Sequence, residues 1–264
     1  MRVETFSTPG PVTLTVNIPG GEIRLETTDD PETHVELDAR DEEALEQATI
    51  ELRRRGDGHE VVVEAPKKFR LLGWGNGDYR LNIRAPHGAE VDMSTSSADV
   101  EARGRYGAVE LNSASGDARF DDVDGEARIN TASGDLRLQR VGGDATVNSA
   151  SGDVELGSLD GRGKIRSASG DISVDVANSS LSVQTASGDQ EVGSIVSGQI
   201  TLQSASGDIE VGVAKGVALW IDAKSMSGET TSDLDLEGES PADGGADVEL
   251  RATSMSGDIH VKRA

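Results

Sequence analysis

The feature that most constrains this chain is a short internal repeat. Ser-Gly-acid triplets place glycines at positions 116, 134, 152, 170, 188, 207, 228 and 257, at intervals of 18, 18, 18, 18, 19, 21 and 29. The acid is aspartate at every copy except Glu229, and a worn copy, Ser97-Ala98-Asp99, sits 18 residues before the first. The unit halves again. From Ser133 the chain reads SGDLRLQRV, GGDATVNSA, SGDVELGSL and DGRGKIRSA, so each nine-residue half is a turn followed by a short run. A fixed period of this kind marks stacked units that cannot bury their apolar faces alone.

Within each run the residues alternate. Leu136/Leu138, Val154/Leu156, Ile172/Val174, Ile209/Val211 and Ile259/Val261 follow the Ser-Gly-Asp turn, while Val109/Leu111, Ala127/Ile129, Ala145/Val147, Leu181/Val183, Ile200/Leu202 and Leu219/Ile221 follow the other turn. Between the members of these pairs stand Arg137, Glu155, Ser173 and Glu210 on one strand and Arg128, Thr146, Ser182 and Thr201 on the other, with Trp220 taking the equivalent outward place. Period-two alternation is the mark of a half-buried strand. The expected fold is all-β: a β-solenoid with 18-residue coils, two short strands per coil, each coil hydrogen-bonded to the next at about 4.8 Å. Successive windows are expected to lie over one another, so that like side chains form columns. Ile259-His260-Val261-Lys262-Arg263 becomes the last strand, an open edge whose cations resist uncontrolled pairing. The longer late intervals mark outward loops, notably residues 237–245.

The first ninety-two residues lack the triplet but remain β-rich. Val12 to Ile18 and Glu22 to Thr27 alternate about a turn at Pro19-Gly20-Gly21, and Thr33 to Ala39 reads as another strand. Asp41-Glu42-Glu43-Ala44-Leu45-Glu46-Gln47 reads as a short, acid-started helix. Thr49 to Arg55 and Glu60 to Ala65 form a hairpin about Gly56-Asp57-Gly58. An open solenoid end invites edge-to-edge addition, so residues 1–92 are expected to cap that end and residues 93–264 to form the solenoid.

Composition removes several functions. With 48 acidic and 25 basic residues the net charge is −23, and a field of that sign repels nucleic acid and acidic bilayers. The absence of cysteine excludes disulfide scaffolds, thiol catalysis and cysteine-ligated zinc. No apolar run approaches the roughly 18–20 residues of a membrane span. Met1 to Phe6 lacks the apolar core of a signal peptide, so the expected location is cytoplasmic. Aromatic residues make up 3% of the chain, which leaves small and branched side chains, with Phe120 beside Ala118 after the first Ser-Gly-Asp turn, to fill the core.

The turn acids Asp117, Asp135, Asp153, Asp171, Asp189 and Asp208, flanked by Asp99 and Asp258, are expected to stack in a column. Unit charges at that spacing repel by about 1 kcal/mol in water, and more near protein, so something must offset them. Acceptance by each carboxylate of backbone N–H groups in its own turn, aided by the neighbouring serines, is the simpler reading. A row of Ca²⁺ ions is the alternative, although calcium-binding repeats carry aspartate in both turns, and here the second turn mostly lacks it. Asn112, Asn130 and Asn148, continued by Arg166, Gln184 and Gln203, form a second expected column of stacked amides and their polar replacements. The segment Lys67-Lys68-Phe69-Arg70-Leu71-Leu72-Gly73-Trp74-Gly75-Asn76-Gly77 is basic and apolar within an acidic chain. Phe69, Trp74 and Trp220 are therefore the candidate contact residues, each with a purely packing alternative. His34, His59, His87 and His260 are scattered without metal-ligand spacing, and no nucleophile elbow, phosphate loop or dinucleotide fingerprint occurs.

Phe6 through Thr27, the strand Leu81-Asn82-Ile83-Arg84-Ala85-Pro86 and the serial Ser-Gly-Asp turns together resemble a bacterial β-strand-repeat family labelled “putative adhesin” and also called the Toastrack domain. That resemblance covers nearly the whole chain. It implies a β-solenoid and a scaffold role, often beside membrane-stress regulators, and supplies no catalytic residues to carry over. The expected function is a non-catalytic scaffold or protein-interaction module, linked to envelope-stress or adhesin-like systems, with no cofactor and with a protein partner or self-association. The alternatives are a Ca²⁺-stabilised repeat domain and a carbohydrate-binding or carbohydrate-active solenoid.

Overall fold

The computed structural model describes residues 1–66, 79–234 and 246–264. The described residues are mostly strand, with one helix, Glu42–Gln47. No helix among them is long and apolar enough to cross a membrane. The chain divides into two compact units, Met1–Arg137 and Leu138–Ala264.

In the first unit the strand Val12–Thr28 is the hub. It runs parallel to Ala89–Ser113 from Thr13↔Glu90 to Glu26↔Arg103. Its other edge is shared by Gly58–Glu64, beside Val12–Asn17, and Tyr79–Pro86, beside Gly21–Thr28. Pro19-Gly20-Gly21, expected to be a turn, lies within one continuous strand. The chain needs glycine there: Gly21 has φ 114, and a Cβ on it would stand 2.0 Å from the Tyr79 carbonyl oxygen. Antiparallel strands lie outside these. Glu32–Ala39 pairs with Arg2–Ser7 and with Tyr79–Pro86, and the expected hairpin is Thr49–Arg55 with Gly58–Glu64. The helix starts where Asp41 accepts the Glu43 N–H, at 3.0 Å, and it buries Ala44 and Leu45. The parallel stack therefore begins at Val12, inside the segment expected to cap it. From there the repeat sets in, with Val100↔Ala118 and Val109↔Ala127 in parallel register eighteen residues apart.

In the second unit parallel strands form two stacks within one sheet. One stacks Ala145–Ser149, Gly163–Ser169, Leu181–Ser187 and Gly198–Ser206, and the other stacks Val154–Leu159, Ile172–Ala177, Gln190–Ile195 and Ile209–Val213. Of the inward residues expected from alternation, Val147, Val183, Ile200 and Leu202 are buried, whereas Leu219 and Ile221 are only half-buried. Each fully buried side chain contributes about 1.5–3 kcal/mol on leaving water.

The expected order of coils fails at the end. Gly198–Ser206 pairs with Val248–Ser256, and Leu219–Ser225 pairs with the other edge of Val248–Ser256. Likewise Ile259–Arg263 lies between Ile209–Val213 and Thr230–Ser232. The last coil in sequence is therefore inserted in the stack, and the outermost coil is Leu219–Ser232. Hydrophobic burial explains the exchange. The inserted coil brings Leu250, Ile259 and Val261, all buried, whereas the outer coil offers Thr230 and Ser232 at the places of Ile259 and Val261. Ile259–Arg263 is thus not an open edge. Its Lys262 ammonium is bonded to Glu210, which raises the lysine pKa, and Arg263 donates to the Ala214 carbonyl at 3.2 Å.

Candidate interaction site

The turn acids form the columns expected, and each column has a repeated bond. In the first unit Asp117 N–H donates to Asp99 Oδ1 at 3.1 Å and Asp135 N–H to Asp117 Oδ1 at 2.9 Å. In the second unit Asp171 bonds Asp153, Asp189 bonds Asp171 and Asp208 bonds Asp189, each at 2.8 Å. The column then follows space rather than sequence: Asp258 N–H reaches Asp208 Oδ1 at 2.7 Å and Glu229 N–H reaches Asp258 Oδ1 at 2.8 Å. The donors belong not to the acid's own turn, where they are expected, but to the neighbouring coil, because stacking brings the next coil's N–H over the carboxylate. One oxygen of each acceptor is thereby occupied by a backbone dipole, a charge-assisted bond that counters repulsion along the column.

The amide column forms as well. Asn130 Nδ2 donates to Asn112 Oδ1 at 3.0 Å, Arg166 Nε to Gln184 Oε1 at 3.1 Å, and Gln184 Nε2 to Gln203 Oε1 at 3.0 Å. A third column was not foreseen. Asp160 accepts from Asn178 Nδ2 at 2.9 Å and Arg140 Nη2 at 2.8 Å, and these bonds hold its carboxyl below the usual value, the Asn178 amide first. Its signal was the acid and amide eighteen residues apart at the second turn.

Trp220 is 44% exposed on the outermost coil. It stands beside Glu249 and so in the row of Gln199, not in that of Thr201, because Ile221 aligns with Leu250 and Ile200. Arg251 lies over its ring at 5.5 Å while donating to Glu249 at 2.8 Å. Two further exposed apolar groups occupy turns of the two outermost coils. Met226 (80%) and Met255 (57%) replace the alanine seen in Ser204-Ala205-Ser206-Gly207, a substitution legible in the sequence but overlooked. Phe69 and Trp74, and residues 237–245, lie outside the described residues.

Three histidines share one arrangement. Nδ1 meets a threonine hydroxyl, Thr5 for His34, Thr27 for His87 and Thr231 for His260, at 2.8–2.9 Å. Nε2 faces Glu32, Asp29 or Asp233 at 3.3–3.7 Å. Asp30, Glu32 and His34 also bring their ligand atoms within 4.8 Å of one another, a grouping signalled by every-second-residue spacing into the strand Glu32–Ala39. In the first unit a shallow cleft of mixed charge is lined by Thr13, Arg55, Glu90, Asp92, Glu110 and Arg128.

Residues 13–262 match the model of the family described as Toastrack DUF4097. This chain belongs to that family. No curated protein matches this Toastrack chain. Similar solved structures include a “putative cell adhesion protein” from Clostridium sporogenes, 13% identical, covering 100% of this chain and 99% of that one at a TM-score of 0.31. A “putative adhesin” from Bacteroides fragilis is 12% identical, with coverage of 100% and 96% and a TM-score of 0.39. A “putative lipid binding protein” from Parabacteroides distasonis is 11% identical, with coverage of 100% and 96% and a TM-score of 0.44.

Proposed function

We propose that this Toastrack chain is a non-catalytic scaffold that presents its coils for contact with other protein. The observation carrying this reading is the placement of Trp220, Met226 and Met255, all exposed, on the two outermost coils of the second unit. Tryptophan supplies large contact area at a defined geometry, and methionine adapts to a partner surface. The turn acids support the same reading, since the stack itself uses an oxygen of each acceptor carboxylate.

The test is affinity capture with the full chain and with Trp220→Ala and Met226→Ser, followed by direct binding to each captured protein after purification. A partner that binds the purified chain and is weakened by these substitutions is the expected result. Reproducible glycoside turnover, lost on replacing an outward carboxylate, would overturn the reading in favour of a carbohydrate-active solenoid.

A further inference from the structure

The outermost coil begins with a strand whose second edge is unpaired among the described residues. Among the described residues Leu219–Ser225 has one strand partner, Val248–Ser256. The Ala218 carbonyl accepts from Val248 N–H, and Met226 N–H donates to the Ser254 carbonyl. Peptide groups alternate along a strand. The even-numbered residues therefore bond inward to the stack, and Leu219, Ile221, Ala223 and Ser225 direct N–H and C=O outward. The side chains of Leu219, Ile221 and Ala223 are only half-buried, whereas Val248, Leu250 and Ala252 beside them are fully buried. A bare edge with an uncovered apolar row is a template for another strand.

The sequence of this edge is complementary to itself. We infer that Leu219–Ser225 pairs antiparallel with the same strand of a second copy of the chain, Asp222 of each opposite Lys224 of the other. Outward peptide groups must meet outward peptide groups, so odd residues face odd residues. The register that sets Asp222 against Lys224 also sets Ile221 against Ser225, Trp220 against Met226, and Ala223 against its own counterpart. Asp222 and Lys224 fall at pairs without mutual hydrogen bonds, where side chains approach closest. Sliding the register by two residues places Asp222 on Asp222, or Lys224 on Lys224, and like charges directly opposite are unfavourable. The two-fold arrangement therefore has one favoured register and gains two ion pairs, two Trp–Met contacts and a continuous apolar row.

This inference rests on the scaffold reading and names one partner for it. The experiment is sedimentation of the full chain at physiological salt, where screening shortens the repulsion between two acidic copies. The wild type is expected to be dimeric. Asp222→Lys and Lys224→Asp should each weaken the dimer about ten-fold or more, as two attractive pairs become repulsive. Mixing the two single variants should restore association as a heterodimer, and the double swap in one chain should restore the homodimer. Both residues are exposed, and unchanged melting confirms that each variant is folded. A monomeric wild type, or a dimer indifferent to the swaps, overturns the inference. A variant lacking residues 235–245 that dimerises while the full chain does not assigns the edge to that segment, and overturns it too. If the chain is monomeric yet binds a purified partner through Trp220, the self-pairing fails while the scaffold reading stands.

Discussion

The backbone N–H of Asp258 donates to Asp208 Oδ1 at 2.7 Å, although fifty residues separate them, because the last coil is inserted directly on the coil of Asp208. Replacing Asp208 with Ala removes the acceptor and should cost about 1 kcal/mol, read by chemical denaturation. Asp208→Asn keeps an oxygen in place and should cost roughly half of that or less. With the carboxylates engaged in this way, calcium and chelator should leave the melting temperature unchanged. A melting temperature that climbs with calcium concentration would assign the column to the ion instead.

Gly188 has φ 125, and a Cβ there would stand 2.2 Å from the Gly170 carbonyl oxygen of the coil beneath. Gly188→Ala must strain its own backbone and push two coils apart, a loss of about 3 kcal/mol or more. Gly216, at φ 81, has nothing within 4 Å of a Cβ. Gly216→Ala should cost only the conformational strain, about 1 kcal/mol. Equal losses at the two sites would show that stacking contributes nothing to the requirement.

Gln190 is buried in a row whose neighbours are Ile172 and Ile209. Its amide nitrogen donates to Thr185 Oγ1 and to the Gln203 carbonyl, both at 2.8 Å, while Oε1 has no partner. Gln190→Ile exchanges an orphaned carbonyl for the residue found in the coils on either side. Thermal melting should show a stabilised protein, by about 1 kcal/mol.

Tyr106 is buried edge-on against Phe120 at 6.3 Å, and its hydroxyl donates to the Arg103 carbonyl at 3.0 Å. Burial raises its pKa far above the ordinary value of 10.0. The folded chain therefore keeps a proton that the unfolded chain releases. Stability from this group is complete below pH 10.0 and falls as pH rises beyond it. Tyr106→Phe should weaken the protein slightly at neutral pH and flatten the alkaline decline, measured by denaturation across that range.

Much of the architecture is written locally. The alternation of Val147 with Thr146 and Asn148, and the recurrence of Ser-Gly-Asp every eighteen residues, dictate strands, turns and columns, since period-two burial and positive φ leave few other solutions. The hairpin Thr49–Arg55 with Gly58–Glu64 and the Asp41-capped helix are equally local. Coil order is not. The coils share a turn pattern and an alternation, so nothing nearby in sequence tells Gly198–Ser206 whether Leu219 or Val248 comes next. The tertiary structure decides it by burial, placing Ile259 and Val261 inside and leaving Thr230 and Ser232 at the end, and loop closure over the added residues costs too little to prevent the exchange. The row occupied by Trp220 and the open edge at Leu219–Ser225 follow from that choice.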